Sequence, residues 1–234
     1  MQAILLAGGL GTRLRKVVND RPKPMALVNE KPFIEYLLNN LKANGFSNII
    51  MAVGYKGSMI EDYFSTGEQL GLSIQYSYEK EQLGTAGAIK NAESFIEDET
   101  FLVLNADTYY NVAYTELLEL YRKEDIDMAL VLRRVTDVSR YGKVTMEDGL
   151  VTGFNEKETR PESGLINGGV YLMKHQILDM IPAGQKVSLE NETIPALLEK
   201  GYPIGAIENR GYFIDIGIPE DYQRFIDDVT EGRI

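Results

Sequence analysis

The chain has 234 residues, 44% of them hydrophobic and 25% charged, and 35 Asp and Glu against 24 Lys and Arg leave a net charge of −11. That length fills the core of one large α/β domain or two small ones, while the acidic surplus argues against nucleic acid or an anionic membrane as partner, since both call for a dense cationic face. The absence of cysteine excludes disulfides, thiolate metal sites and cysteine nucleophiles and suits a cytoplasmic setting.

The opening Met1-Gln2-Ala3-Ile4-Leu5-Leu6-Ala7 has no cationic leader and is far shorter than a span of about 20 residues, so it reads as a first strand, Gln2–Leu6. A helix is predicted over Lys31–Asn44, where Phe33, Ile34, Leu37, Leu38 and Leu41 share one face, Pro32 falls in the first turn and Gly45 lies just past the end. Strands follow at Asn48–Val53, Ser73–Tyr78 and Thr100–Leu104, with helices at Thr85–Phe95 and Thr115–Lys123. This alternation is what a mostly parallel sheet requires. The second half is less regular, with strands at Asp127–Arg133 and Gly168–Met173 and helices at Leu189–Lys200 and Pro219–Val229. Between them, Asp148-Gly149 separates Lys143–Met146 from Val151–Phe154, which predicts a hairpin and a small antiparallel insertion suited to a second substrate.

The first strand runs straight into Leu6-Ala7-Gly8-Gly9-Leu10-Gly11-Thr12-Arg13-Leu14. Glycines there let backbone N–H groups approach a phosphate. A dinucleotide fingerprint fails because Leu14 stands where the third glycine belongs, and a P-loop fails because no Gly-Lys-Ser or Gly-Lys-Thr follows. A tight structural turn is the plainer reading, weakened by Arg13 and by Lys23 between the prolines of Arg21-Pro22-Lys23-Pro24-Met25. Asp107 follows the strand Thr100–Leu104, at the sheet end where ligands of open α/β folds bind, although it would equally cap the next turn. Asp215, in the apolar run Tyr212-Phe213-Ile214-Asp215-Ile216-Gly217, is its best partner for Mg²⁺. Whether the two carboxylates meet is not visible in the sequence.

Taken in order, the glycine loop, Pro22-Lys23-Pro24-Met25, Leu83-Gly84-Thr85-Ala86-Gly87-Ala88, Asn105-Ala106-Asp107, Tyr141-Gly142-Lys143-Val144, Glu156-Lys157, Asn167-Gly168-Gly169-Val170-Tyr171 and Phe213-Ile214-Asp215-Ile216-Gly217 resemble the sugar-1-phosphate nucleotidylyltransferases. The resemblance implies a Rossmann-like nucleotide-diphospho-sugar transferase fold, with a mostly parallel central sheet flanked by helices. It implies one domain over 1–234, residues up to about 110 serving the nucleotide and 111–234 the sugar phosphate. Leu6, Ala7, Gly8 and Gly9 would meet base and ribose; Gly11, Thr12 and Arg13 the triphosphate; Lys23 the phosphates around the reacting phosphorus; Gln82, Gly84 and Thr85 the base; Asp107 and Asp215 Mg²⁺. Arg13, Lys23 and Asp107 would be catalytic, and Tyr141, Gly142, Glu156, Lys157, Asn167 and Gly169 would bind the sugar phosphate. Read alone, Glu156-Lys157 is an ordinary charged turn.

The implied reaction joins a sugar-1-phosphate oxygen to the α-phosphorus of a nucleoside triphosphate and expels pyrophosphate, which needs positioning and charge neutralisation and no protein nucleophile. The one histidine, His175, accordingly reads as a surface residue. Glu79-Lys80-Glu81-Gln82-Leu83-Gly84-Thr85 with Ile166-Asn167-Gly168-Gly169 is most similar to the D-glycero-α-D-manno-heptose 1-phosphate guanylyltransferases, implying GTP and GDP-heptose made for surface polysaccharide. Uridylyl-, thymidylyl- or cytidylyltransferases acting on N-acetylmuramate, glucose or mannose 1-phosphate share most motifs and stay open. Ile218, where many relatives carry threonine, and Ala86 depart from the pattern without removing a charge. A metal-dependent glycosyltransferase is disfavoured because Asp107-Thr108-Tyr109 lacks a second carboxylate, and a non-catalytic binding module because the charged set is intact. Homo-oligomerisation is left open.

Overall fold

The computed structural model describes residues 1–9, 11–14, 17–123, 125–139, 141–155 and 162–234. Strand β1 (Gln2–Leu6) is followed by a short hairpin, β2 (Leu27–Val28) and β3 (Lys31–Pro32), which leads into helix α1 (Phe33–Ala43). The helix starts two residues later than its apolar spacing suggests, because Pro32 is extended at ψ 140° and pairs with Leu27 across the hairpin. Its apolar face is buried as expected.

Then come β4 (Asn48–Val53), α2 (Gly57–Phe64), β5 (Ser73–Tyr78), α3 (Gly84–Asn91), β6 (Thr100–Asn105), β7 (Thr108–Tyr110) and α4 (Tyr114–Lys123). The predicted helix Thr85–Phe95 is thus α3 plus a separate 3₁₀ turn, Glu93–Phe95. Helix α2 escaped the sequence pattern: it is only eight residues long, begins at a glycine, and buries just Ile60 and Phe64 among its large apolar residues. The second half holds β8 (Met128–Val135), β9 (Lys143–Glu147), β10 (Leu150–Asn155), β11 (Gly164–Lys174), α5 (Ile194–Glu199), β12 (Ile204–Glu208), β13 (Phe213–Asp215) and α6 (Pro219–Thr230). The predicted helix Leu189–Lys200 begins instead as a π-helical turn, Leu189–Thr193, capped by the Ser188 side chain.

Among the described residues, nine strands form one sheet in the order β5-β4-β1-β6-β11-β8-β12-β10-β9. The first four are mutually parallel, and β11 runs antiparallel between β6 and β8. The β9–β10 hairpin turns at Asp148-Gly149, both with positive φ as a type I′ turn requires, and extends the sheet at its edge. Alternation along β1 sends Ala3 and Leu5 to a core shared with α1, α2, α4 and α6, and Ile4 to a second core shared with α3 and α5. Burial on both faces accounts for the unbroken apolar runs of β1, β4 and β6. Beyond their carboxyl ends lie the glycine loop after β1 and Asp107 after β6.

Candidate active site

Lys23 is held by the 3₁₀ turn Lys23–Met25 between Pro22 and Pro24, and it is 8% exposed. Gly11 admits its stem: the residue sits at φ +58°, and a Cβ there would lie 2.8 Å from that of Lys23. The Lys23 ammonium reaches Asp107 Oδ2 at 2.7 Å and Asp215 Oδ1 at 3.2 Å. A small two-stranded ribbon makes this meeting possible, since β7 pairs with β13 with Asp215 opposite Thr108, and Ile216 N–H donates to the Asp107 carbonyl at 3.0 Å. Asp215 is fixed further by the Gly217 N–H at 2.7 Å, and Asp107 by the Thr108 hydroxyl at 3.2 Å. A Cβ on Gly217 would stand 2.9 Å from Asp215, 3.1 Å from the Lys23 ammonium and 3.3 Å from the Arg13 guanidinium, so three charged groups converge over a backbone with no side chain.

Burial alone would push the Asp107 carboxyl up, but the Lys23 ammonium overrides it and holds the group below the usual carboxylate range. Asp215 goes the other way, raised by burial and then by the charge of Asp107. Two carboxylates around one cation titrate as a unit. Among the described residues no cluster of three or more His, Asp or Glu gathers, so Asp107 and Asp215 are the oxygen donors this site offers to a divalent cation.

Two adjoining cavities share Leu6, Gly9 and Asp107. One, of about 180 Å³, is lined by Gly11, Thr12, Arg13, Lys23 and Gly217 and carries the cations. The other, of about 370 Å³, is lined by Gly8, Glu79, Gln82, Gly84, Thr85 and Lys186 among others. Two cations beside the glycine-loop backbone suit the first to an anionic group such as a phosphate.

Glu79 was not among the expected site residues, yet it stands one position past β5, placed as Asp107 is beyond β6. Its Oε1 lies 2.1 Å from where a Cβ on Gly8 would be, so Gly8 is what lets the carboxylate in. Burial raises the Glu79 carboxyl above its usual range, with the Leu83 N–H at 3.1 Å partly offsetting it. Lys186 was also missed, and no local signal announces it: Val187 accepts the N–H groups of Ala86 and Gly87 and so docks its segment on the start of α3.

On the other side of the cleft, Asn167 and Gly169 lie in a bulge of β11, where the register against β8 shifts between Asn167 and Tyr171. Gly169 has φ +72°, and a Cβ there would sit 2.7 Å from Asn105 Nδ2, so this bulge presses on the end of β6. Neither cavity lining includes Asn167, Gly169, Tyr141 or Gly142; the last two are half-buried just before β9. Glu156 and Lys157 lie outside the described residues. His175 is remote from the cleft: it follows Lys174, which pairs with Thr100 at the opposite end of β6. Among the described residues no helix is long and apolar enough to cross a membrane.

Comparison with known proteins agrees with this geometry. D-glycero-α-D-manno-heptose 1-phosphate guanylyltransferase of Campylobacter jejuni is 42% identical over 230 residues, covering 97% of this chain and 99% of the relative. That of Aneurinibacillus thermoaerophilus is 41% identical over 225 residues, with 96% of each chain covered. The crystal structure of HddC from Yersinia pseudotuberculosis complexed with GMP-PN superposes with a TM-score of 0.85 at 36% identity, covering 97% of this chain and 99% of that one. With residues 2–232 matching the family described as Nucleotidyl transferase, the chain belongs to that family and is a nucleotidyltransferase of the nucleotide-diphospho-sugar transferase fold.

Proposed function

We propose that the protein condenses GTP with D-glycero-α-D-manno-heptose 1-phosphate to give GDP-heptose and pyrophosphate. A sugar-phosphate oxygen attacks the α-phosphorus, and the bond from that phosphorus to the bridging oxygen of the β-phosphate breaks. The observation that carries the choice of base is Glu79. Guanine alone among the bases presents two adjacent donors, N1–H and the N2 amino group, on one edge, and a carboxylate accepts both. Uracil and thymine would set carbonyl oxygens against the same carboxylate. The two guanylyltransferases named above, each similar over nearly the whole length of this chain, support both the base and the sugar.

Residues 1–110 then supply most of the nucleotide site and 111–234 most of the sugar-phosphate site. Arg13 and Lys23 neutralise the phosphates, Gln82, Gly84 and Thr85 flank the base, and Asn167, Gly169, Tyr141, Gly142, Glu156 and Lys157 take the sugar phosphate. Asp107 and Asp215 would hold Mg²⁺, whose contribution is to polarise phosphate oxygens as a Lewis acid. We place the enzyme in the cytoplasm, in nucleotide-sugar synthesis for surface polysaccharide. Pyrophosphate release measured across GTP, UTP, dTTP and CTP, each with heptose, mannose, glucose and N-acetylmuramate 1-phosphates, tests the assignment. Turnover highest with GTP and the heptose phosphate is expected; turnover confined to UTP or dTTP would overturn it.

A further inference from the structure

Behind the cleft, Glu190 in the π-helical turn ties the start of α3 to the β11 bulge. Its Oε2 accepts from the Thr85 hydroxyl at 2.7 Å and the Ser188 hydroxyl at 3.1 Å, and its Oε1 accepts from the Tyr171 hydroxyl at 2.8 Å. Tyr171 is fully buried. Its oxygen in turn accepts from Asn167 Nδ2 at 2.5 Å, and Asn167 Oδ1 accepts the Gly169 N–H at 3.0 Å.

Each direction in this chain is forced by the one before it. A carboxylate only accepts, so Tyr171 must spend its one proton on Glu190. The phenol oxygen is then left as an acceptor, which requires the NH₂ side of Asn167 to face it. That orientation points the amide oxygen at Gly169, the residue whose left-handed backbone shapes the bulge against Asn105. We propose that Glu190 is a positioning residue: it sets the hydrogen-bond direction of the relay Asn167–Tyr171–Glu190, and thereby the shape of the bulge on which the sugar phosphate binds. The proposal rests on the reading of that bulge as part of the sugar-phosphate pocket.

The substitution E190Q separates direction from packing, because it keeps size and shape. Two hydroxyls, those of Thr85 and Ser188, donate to the Oε2 side and only that of Tyr171 to the Oε1 side, so the amide oxygen of E190Q takes the Thr85 side. The new NH₂ then faces Tyr171, which can only accept from it and must turn its proton toward Asn167. Asn167 flips, and its NH₂ meets the Gly169 N–H, donor against donor. The disturbance reaches the bulge and leaves the start of α3 alone.

The test measures KM for the sugar 1-phosphate, Kd for a non-hydrolysable nucleotide analogue and the melting temperature in wild type, E190Q, Y171F and the double variant. Expected in E190Q is a KM about tenfold higher, the scale of one misdirected hydrogen bond, with nucleotide Kd within about twofold of wild type. Y171F, which removes the middle of the relay, raises the same KM, and E190Q adds nothing to it in the double variant. A KM within twofold of wild type, equal losses in KM and nucleotide Kd, or multiplicative effects in the double variant would overturn the relay. Should E190Q fail to fold, Y171F carries the same comparison of KM against nucleotide Kd. Wild-type activity with another nucleotide or sugar would refute the substrate assignment while leaving the relay to be tested on the substrates that work.

Discussion

Replacing Lys23 by methionine keeps the buried stem and removes the ammonium that two carboxylates share. Breaking a buried ion pair from one side costs about 3–5 kcal/mol because the remaining charge is left uncompensated. The low end applies here: the Asp107 side chain is 40% exposed, so water screens part of its charge, although Asp215 at 18% is less well served. About 3 kcal/mol in a chain of this size corresponds to a fall in melting temperature of roughly 6–12 °C. The pH dependence identifies the cause. In the wild type the Asp107 carboxyl is depressed by Lys23, so its contribution is complete above the ordinary carboxylate range and is lost as pH falls through the depressed value. The variant lacks that contribution. With the ammonium gone, burial and mutual repulsion raise both carboxyls of the variant, so its deficit against wild type is largest at neutral pH and shrinks as the pH falls and those carboxyls take up protons. Circular dichroism melts at pH 7 and pH 4.5 measure this directly, and turnover in the same samples should be lower by about a hundredfold or more. A neutral-pH deficit under about 2 °C, or one equal at both pH values, would mean that the ammonium is not compensating the two carboxylates.

Gly217→Ala places a Cβ 2.9 Å from Asp215 and 3.1 Å from the Lys23 ammonium; kcat is expected to drop about tenfold or more while the melting temperature moves little, as turnover and melting measured together will show. Glu79→Gln should weaken GTP binding by about a hundredfold in calorimetry, the loss of two bonds to a charged acceptor. In the wild type, nucleotide affinity should rise with pH through the elevated Glu79 value. The stability of the ligand-free protein should fall over that same window, because the native carboxyl keeps its proton longer than the unfolded one, and Glu79→Gln should flatten both trends. His175→Asn should leave turnover within about twofold of wild type, since the residue sits at the far end of β6.

The parallel half of the sheet was legible because both faces are covered, which writes β1, β4 and β6 as continuous apolar runs, and because α1 carries a wide apolar stripe. Helix α2 and strand β12 were not legible: the first begins at a glycine, and the second, after Pro203 and with Gly205 inside it, looks like a turn until β8 pairs with it. Lys23 and Asp107 could be singled out from local chemistry, a lysine between prolines and an acid beyond a buried strand. Their meeting with Asp215 depends on the β7–β13 ribbon, whose three-residue strands leave no periodic signature. Glu79 could have been found by applying the rule that found Asp107 to the end of β5. Lys186 and Glu190 could not, because the docking of residues 187–189 on α3 is what brings Lys186 to the cleft and Glu190 to Thr85 and Tyr171 behind it.

The β7–β13 ribbon also gives the site a history. Residue 108 pairs with residue 215, so the charge cluster is among the most non-local contacts in the chain. During synthesis the glycine loop, Lys23 and Asp107 leave the ribosome long before Asp215, and a chain stopped short of β13 holds an ammonium facing a single carboxylate. The parallel strands β5, β4, β1 and β6 pair without any residue of β13, whereas the charge cluster needs Asp215. The three-way contact of Lys23, Asp107 and Asp215 thus waits for the synthesis of β13.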